Sequence, residues 1–360
     1  MRFLLTFITA TFFITAVFAQ KYSNEFLTIG VGARAQALGG AVVASNSDVT
    51  AGFWNPAGLV APNASKNMQL GAMHSEWFAG VGQFDYLALA LPSQSENRRI
   101  GISLIRFGID QIPNTLSLYD DDGTINFDNV REFSAADYAV MLSYAQRLKT
   151  KNAANHLAIG GSVKIVRRVI GPFASSWGFG VDLGGQYRVG KWRFGALAKD
   201  LSTTVNGWSF NFTESEKETL AITGNEIPIE SVEITRPSVY LGFAYELQFG
   251  KVGVLPELNL IATTDGQRNT LISADPVSID PSFGLEVNYN QFVFIRAGVS
   301  QFQTIQDFQQ EEFTTARPSL GLGLKLAAFN IDYAFTNLGA VDNAYSHVIS
   351  LLFELEKRKR

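Results

Sequence analysis

Trp177-Gly178-Phe179-Gly180-Val181-Asp182-Leu183-Gly184-Gly185-Gln186-Tyr187-Arg188 alternates large apolar side chains with small or polar ones. A period of two puts Trp177, Phe179, Val181, Leu183 and Tyr187 on one face of a strand. Gly178, Gly180, Asp182, Gly184, Gln186 and Arg188 fall on the other. The comb returns at Val239, Leu241, Phe243, Tyr245 and Leu247 against Gly242, Ala244, Glu246 and Gln248. It returns again at Phe283, Leu285, Val287 and Tyr289 against Gly284, Glu286, Asn288 and Asn290. In a soluble sandwich the apolar face meets a second sheet. In an outer-membrane barrel it meets lipid, and the polar face lines the lumen.

The flanking sequence favours the membrane. Met1 and Arg2 precede an apolar run from Phe3 to Phe18, and Val17-Phe18-Ala19 fits a signal-peptide cleavage site that leaves Gln20 as the first mature residue. The chain has no cysteine, so neither a disulfide framework nor a lipoprotein anchor is available. No other segment approaches ~20 uninterrupted apolar residues, which leaves a closed barrel as the spanning form whose backbone groups are all satisfied. Only 17% of residues are charged, and the mean hydropathy of +0.07 is apolar for a secreted chain. The net charge of −4 gives no electrostatic footprint for nucleic acid.

Strands are expected at 67–78, 82–91, 98–110, 134–148, 155–169, 174–188, 191–201, 235–248, 252–264, 279–289, 291–302, 316–326, 328–336 and 346–355. That is an all-β, 14-stranded antiparallel outer-membrane barrel. Connections after the even-numbered strands are short, as at Val189-Gly190, Phe249–Lys251 and Asn290. Most others are long, notably 111–133, 202–234, 265–278 and 303–315. Short turns at one rim and long loops at the other place both termini on the periplasmic side of a Gram-negative outer membrane. Trp77, Phe78, Trp177, Trp192, Tyr289, Phe292 and Phe302 lie near strand ends, as interfacial girdles do. The expected division is a signal peptide at 1–19, an N-terminal hatch at 20–65, the barrel at 66–355 and a basic tail at 356–360.

The segment before the first strand has another character. Gly30-Val31-Gly32-Ala33-Arg34-Ala35-Gln36-Ala37-Leu38-Gly39-Gly40 is rich in small residues, and 48–59 reads DVTAGFWNPAGL. Such a chain can pack inside a tube, with a turn at Asn55-Pro56 and close backbone approach at Ala57-Gly58. We read it as a plug marked by Gly32, Arg34, Gly39, Gly40, Asp48, Asn55, Pro56 and Gly58. Arg34 and Asp48 then need lumen partners from among Asp182, Glu246, Glu257, Glu286, Lys325 and Asp332, because an unpaired buried charge is costly.

On those two motifs, and on the opening KYSNEFL at 21–27, the chain resembles the PorV/PorQ-like outer-membrane proteins of the Bacteroidetes type IX secretion system. That family is similar in fold to the long-chain fatty-acid transporter barrels. The resemblance covers residues 21–60. It implies a non-enzymatic adaptor that receives secreted cargo proteins or sibling secretion components.

No catalytic constellation, cofactor motif or metal-ligand spacing is visible. His74, His156 and His347 fall on separate strands. Gly160-Gly161-Ser162-Val163-Lys164 lacks the closing glycine of a nucleophile elbow. Gly30-x-Gly32 lacks the third glycine of a dinucleotide fingerprint. Asp120-Asp121-Asp122-Gly123 is similar to a calcium loop, but Leu118 and Asn129 occupy two ligand positions, so a solvated turn is the simpler reading. The long loops carry Trp208, Phe210, Phe212, Ile227, Phe308 and Phe313 among acidic residues, a mixture suited to protein recognition. The expectation is an adaptor embedded in outer-membrane lipid that binds protein partners through these loops. The alternative is a channel for a hydrophobic ligand, with an apolar pocket beneath the loops and a wall opened near Pro237, Pro256 or Pro281. A purely structural barrel is the third reading.

Overall fold

The computed structural model describes residues 23–62, 67–77, 80–92, 95, 97–120, 122–227, 231–306, 311–337 and 345–355. Its strands are β1 (Met68–Trp77), β2 (Gly82–Ala90), β3 (Arg98–Asn114), β4 (Arg131–Leu148), β5 (His156–Ile170) and β6 (Ala174–Val189). There follow β7 (Trp192–Lys199), β8 (Thr204–Phe210), β9 (Ser231–Thr235), β10 (Ser238–Tyr245), β11 (Leu247–Phe249) and β12 (Val252–Thr263). The series ends with β13 (Ser278–Tyr289), β14 (Val293–Gln306), β15 (Glu312–Leu326), β16 (Phe329–Asn337) and β17 (Tyr345–Leu355). All pair antiparallel, and β1 closes on β17 from Met68↔Leu355 to Ser75↔Val348.

These strands make fourteen wall crossings. β7 and β8 run end to end along β6, at Leu183↔Ala198 and then at Phe179↔Val205. β9, β10 and β11 form the next crossing in three pieces. The expected barrel is therefore the observed one, and most strand ends agree within a few residues. The exception is the expected loop 202–234, which instead contains β8, β9 and a helix, α3 (Glu214–Ile222), opened by a Thr213/Glu216 capping box. β8 lacks the apolar comb because its outward residues after Val205 are Gly207 and Ser209.

The comb faces point as expected. Trp177, Phe179 and Leu183 are about half exposed on the outside, as are Phe283, Leu285 and Tyr289, while Asp182 and Glu286 are buried within. An outward apolar band of this extent would be an aggregation hazard in water and is satisfied by hydrocarbon. Trp177, Trp192, Tyr289 and Phe292 project outward, as a girdle requires. Trp77 does not: it is buried and packs inside the barrel. Phe78 lies outside the described residues.

Residues 23–62 run through the lumen as two short helices, α1 (Ala33–Ala37) and α2 (Ala51–Trp54), and two 3₁₀ turns, Glu25–Thr28 and Pro56–Val60. The wall strands present glycine to this segment at many of its closest approaches. A Cβ on Gly160 would lie 2.6 Å from Ala57 N, one on Gly195 2.3 Å from Val43 O, and one on Gly298 2.2 Å from Leu38 C. A Cβ on Gly242 would lie 2.8 Å from Ala44 N, while those on Gly184 and Gly321 would meet the side-chain atoms Asn55 Oδ1 and Ala37 Cβ at 2.2 and 2.4 Å. Backbone thus lies against backbone around the barrel, which no larger side chain would permit.

Candidate functional site

Polar wall side chains fix the segment by its backbone. Ser143 and Ser162 Oγ donate to Gly52 O at 3.3 and 2.9 Å, Ser319 Oγ to Ala37 O at 3.0 Å, and Asn259 Nδ2 to Gly40 O at 3.0 Å. Gln186 Nε2 donates to both Val43 O and Asn46 O, at 3.1 and 3.0 Å. In the reverse direction Asn55 Nδ2 reaches Val43 O and Gly185 O, both at 3.0 Å, and its Oδ1 accepts from Ala57 N, with Pro56 opening the turn. Gly58 leaves room for Asn46 O, 2.3 Å from where its Cβ would be. Gly39 and Gly40, with φ of 63° and 78°, reverse the chain in the left-handed region beneath β14. Gly32, φ 86°, precedes α1.

Arg34 finds its partner in Glu286, with Nε 2.8 Å from Oε2. Arg296 Nε donates to the same oxygen at 2.7 Å, and its Nη1 to Asp332 Oδ1 at 2.6 Å. The buried network therefore alternates sign from the segment to β16. Asp48, expected to find a lumen cation, instead accepts from Thr50 N and Oγ1 at 2.8 and 2.6 Å and shapes its own turn.

Above the segment, toward the long loops, lies a cavity of about 1000 Å³. Phe26, Leu27, Ile29, Phe53 and Trp54 form its floor, and Trp77, Phe107, Leu197, Tyr240 and Ile261 an apolar wall. Lys199 enters it with Nζ donating to Leu27 O at 2.8 Å and standing 4.5 Å from the Phe53 ring centre. The next residue, Asp200, has φ 56° and marks the joint between β7 and β8. It shares Lys164 with Asp182, at 2.6 and 2.8 Å, and this ion triplet pins the joint. The sequence signal for these residues was an ionisable side chain on the inner face of a comb, and its meaning depends on strand register.

The loop aromatics do not form an outward surface. Trp208 lies on the inner face of β8 and is buried. Trp208, Phe210, Phe212 and Phe173 stack in series with ring centres 6.2, 6.5 and 5.6 Å apart, and Phe133 meets Phe173 edge-on at 5.1 Å. Arg168 stands 5.1 Å over Trp208 while paired with Asp137 and Glu233, at 2.9 and 3.1 Å. Strand alternation turns these rings toward one another, contrary to their reading as partner-binding residues. Ile227 and Phe313 are exposed and stand apart from the stack; Phe308 lies outside the described residues.

One seam interrupts the wall beside the cavity. β12–β13 pairing extends to Thr263↔Ser278, and β14–β15 pairing to Gln306↔Glu312. Between them, β13–β14 pairing stops at Phe283↔Val299. Pro281, which has no N–H to donate, lies in the unpaired stretch of β13, facing Ser300 and the left-handed Gln301 of β14. The side chain of Asn269 spans the opening, donating to Thr304 O at 2.8 Å and accepting from Thr304 N at 2.9 Å. Pro256 pairs opposite Leu285 at the β10/β11 break, and Pro237 joins β9 to β10.

The remaining candidate groups are local. His74 meets Asp85 at 2.7 Å and His347 meets Tyr333 Oη at 2.7 Å. Asp120 accepts from Asn126 and Asn129, and hydrogen bonds from Thr124 hold the Asp122 carboxyl below its usual range. Those acidic side chains are occupied within their own turn.

No family model matches the sequence, and no curated protein does. Solved structures do. The CymD monoaromatic hydrocarbon channel is 16% identical, with 92% of this chain and 99% of that one covered, at a TM-score of 0.55. The Ralstonia pickettii toluene transporter TbuX is 15% identical over 92% and 100%, at 0.55. A Pseudomonas aeruginosa FadL homologue is 13% identical over 91% and 98%, at 0.52. At such identities the likeness establishes the fold, that of a FadL-like outer-membrane barrel. It also corrects the secretion-adaptor expectation. The barrels this chain is similar to are described as hydrocarbon channels and toluene transporters, and nothing supports the PorV/PorQ resemblance or its cargo partners.

Proposed function

We propose that the protein passes hydrophobic small molecules across the outer membrane, with residues 23–62 as a fixed plug. The observation that carries this reading is the cavity of about 1000 Å³ with an aromatic floor, seated on the plug and opening toward the long-loop rim. Its size and lining suit a small apolar ligand. Arg168, which stands over Trp208 at the end of the aromatic stack, is part of its lining. The plug blocks an axial path, so the ligand leaves sideways, between β13 and β14, into the membrane. The neighbours' described substrates agree with this role.

A crosslink tests the exit. Ser282 and Ser300 are the next positions in register beyond Phe283↔Val299. The Ser282→Cys/Ser300→Cys double variant, oxidised in cells, is expected to reduce toluene uptake to the level of cells lacking the protein. Reductant should restore it, and each single variant, left uncrosslinked, should still take up toluene. Unchanged uptake with the crosslink formed would exclude this exit.

A further inference from the structure

Leu197, Tyr240, Ile261 and Asp280 lie side by side in register across β7, β10, β12 and β13, and at β13 the cavity wall turns polar, with groups that have no protein partner. On β13, Asp280 and Ser282 are two residues apart and so share the inner face; Ser282 is 2% exposed. Ser282 Oγ and Asp280 Oδ1 are both buried without a hydrogen-bond partner, and both residues line the cavity. The Asp280 carboxylate is otherwise engaged by the Phe302 backbone N–H. A pure hydrocarbon would leave these groups unpaired, which a buried site penalises.

We infer that the cavity takes an apolar molecule bearing a neutral hydroxyl group, which donates to Asp280 and accepts from Ser282. This rests on the transport reading and narrows its substrate class. Charges of both signs line the cavity, among them Lys199, Arg236 and Arg317 and Asp200, Asp265 and Asp280, so the titration below separates the hydroxyl from a carboxylate. The apolar floor of Phe26, Phe53 and Trp54 then holds the hydrocarbon body.

Trp54 and Trp77 line the cavity and report contact with a bromine atom by fluorescence quenching. The protein is placed in lipid nanodiscs with Trp177→Phe and Trp192→Phe, which removes the two tryptophans on the lipid side, and titrated with 8-bromo-1-octanol, 1-bromooctane and 8-bromooctanoate. The alcohol is expected to bind about tenfold tighter than the bromoalkane, and the carboxylate no tighter than the bromoalkane. In Ser282→Ala, which removes the hydroxyl and no charge, the alcohol's advantage should shrink several-fold while bromoalkane binding persists. Equal binding of alcohol and bromoalkane, or tightest binding of the carboxylate, would overturn the hydroxyl assignment and leave transport standing. Quenching by none of the three would overturn both.

Discussion

Valine at both Gly195 and Gly298 is expected to unseat the N-terminal segment and turn a closed barrel into a conducting one. Each new Cβ would lie 2.2–2.3 Å from segment backbone, at Val43 O and at Leu38 C. Backbone cannot rotate out of the way as a side chain can. The wall cannot yield easily either, because β7 and β14 are each hydrogen-bonded on both sides at these positions. Ordinary overpacking of a core costs about 1–3 kcal/mol, and two such sites on strands well separated around the barrel compound it. The segment should leave its seat while the barrel, closed by its own ladders, stays folded. The measurements are planar-bilayer conductance, cleavage of the segment by added protease, and heat-modifiable gel mobility as the check on the barrel. Open-pore conductance and a cleavable segment are expected. A closed barrel with a protected segment would show that the glycines are not what seats the plug.

Glu286→Gln is expected to cost about 3–5 kcal/mol, the range for removing one partner of a buried charge cluster. Glu286 Oε2 accepts from both Arg34 and Arg296, at 2.8 and 2.7 Å, and Arg296 is 3% exposed. Glutamine keeps the shape but leaves two guanidinium groups facing each other across a neutral amide. Asp332 still balances Arg296, and Arg34 is the cation that loses its ion pair. Replacing the pair together, as Arg34→Met/Glu286→Leu, should cost less, because no unpaired charge remains. Urea unfolding of the protein in detergent micelles checks both. A Glu286→Gln loss below about 1 kcal/mol, at the level of an exposed pair, would mean that the network is hydrated and does little to hold the segment.

Much of the fold was legible because a membrane barrel writes its two faces into the sequence. Phe283, Leu285, Val287 and Tyr289 against Gly284, Glu286 and Asn288 fix both the strand and its orientation. The glycines on the inner faces were legible as a crowded lumen, and the small residues of 30–40 as what fills it. What crowds each glycine was not, since Gly298 meets Leu38 across 260 residues of chain. Arg34 could be read as needing an anion, but the choice of Glu286 over Glu257 or Asp182 is a matter of strand register. β8 was hidden because its outward face, Val205, Gly207 and Ser209, carries a single large apolar side chain. An inward turn defeats the reading of Trp208 and Phe210 as a partner surface, since composition does not say which way a ring points. The cavity was foreseen only as what a channel requires, and its lining was not legible. Its floor comes from Phe26, Phe53 and Trp54 and its walls from strands far apart in sequence. The motifs at 30–40 and 48–59 record how a plug packs against glycine walls, a demand set by the fold, and so they do not specify the partner.

The central claim is that this barrel carries a small hydrophobic ligand rather than a protein, and native mass spectrometry of the protein gently extracted from its own outer membrane tests it most directly. The expected spectrum shows a barrel with one bound apolar molecule of small mass, which excess 1-octanol displaces. A barrel bound in stoichiometric amount to another protein, with no small molecule present, would contradict the account.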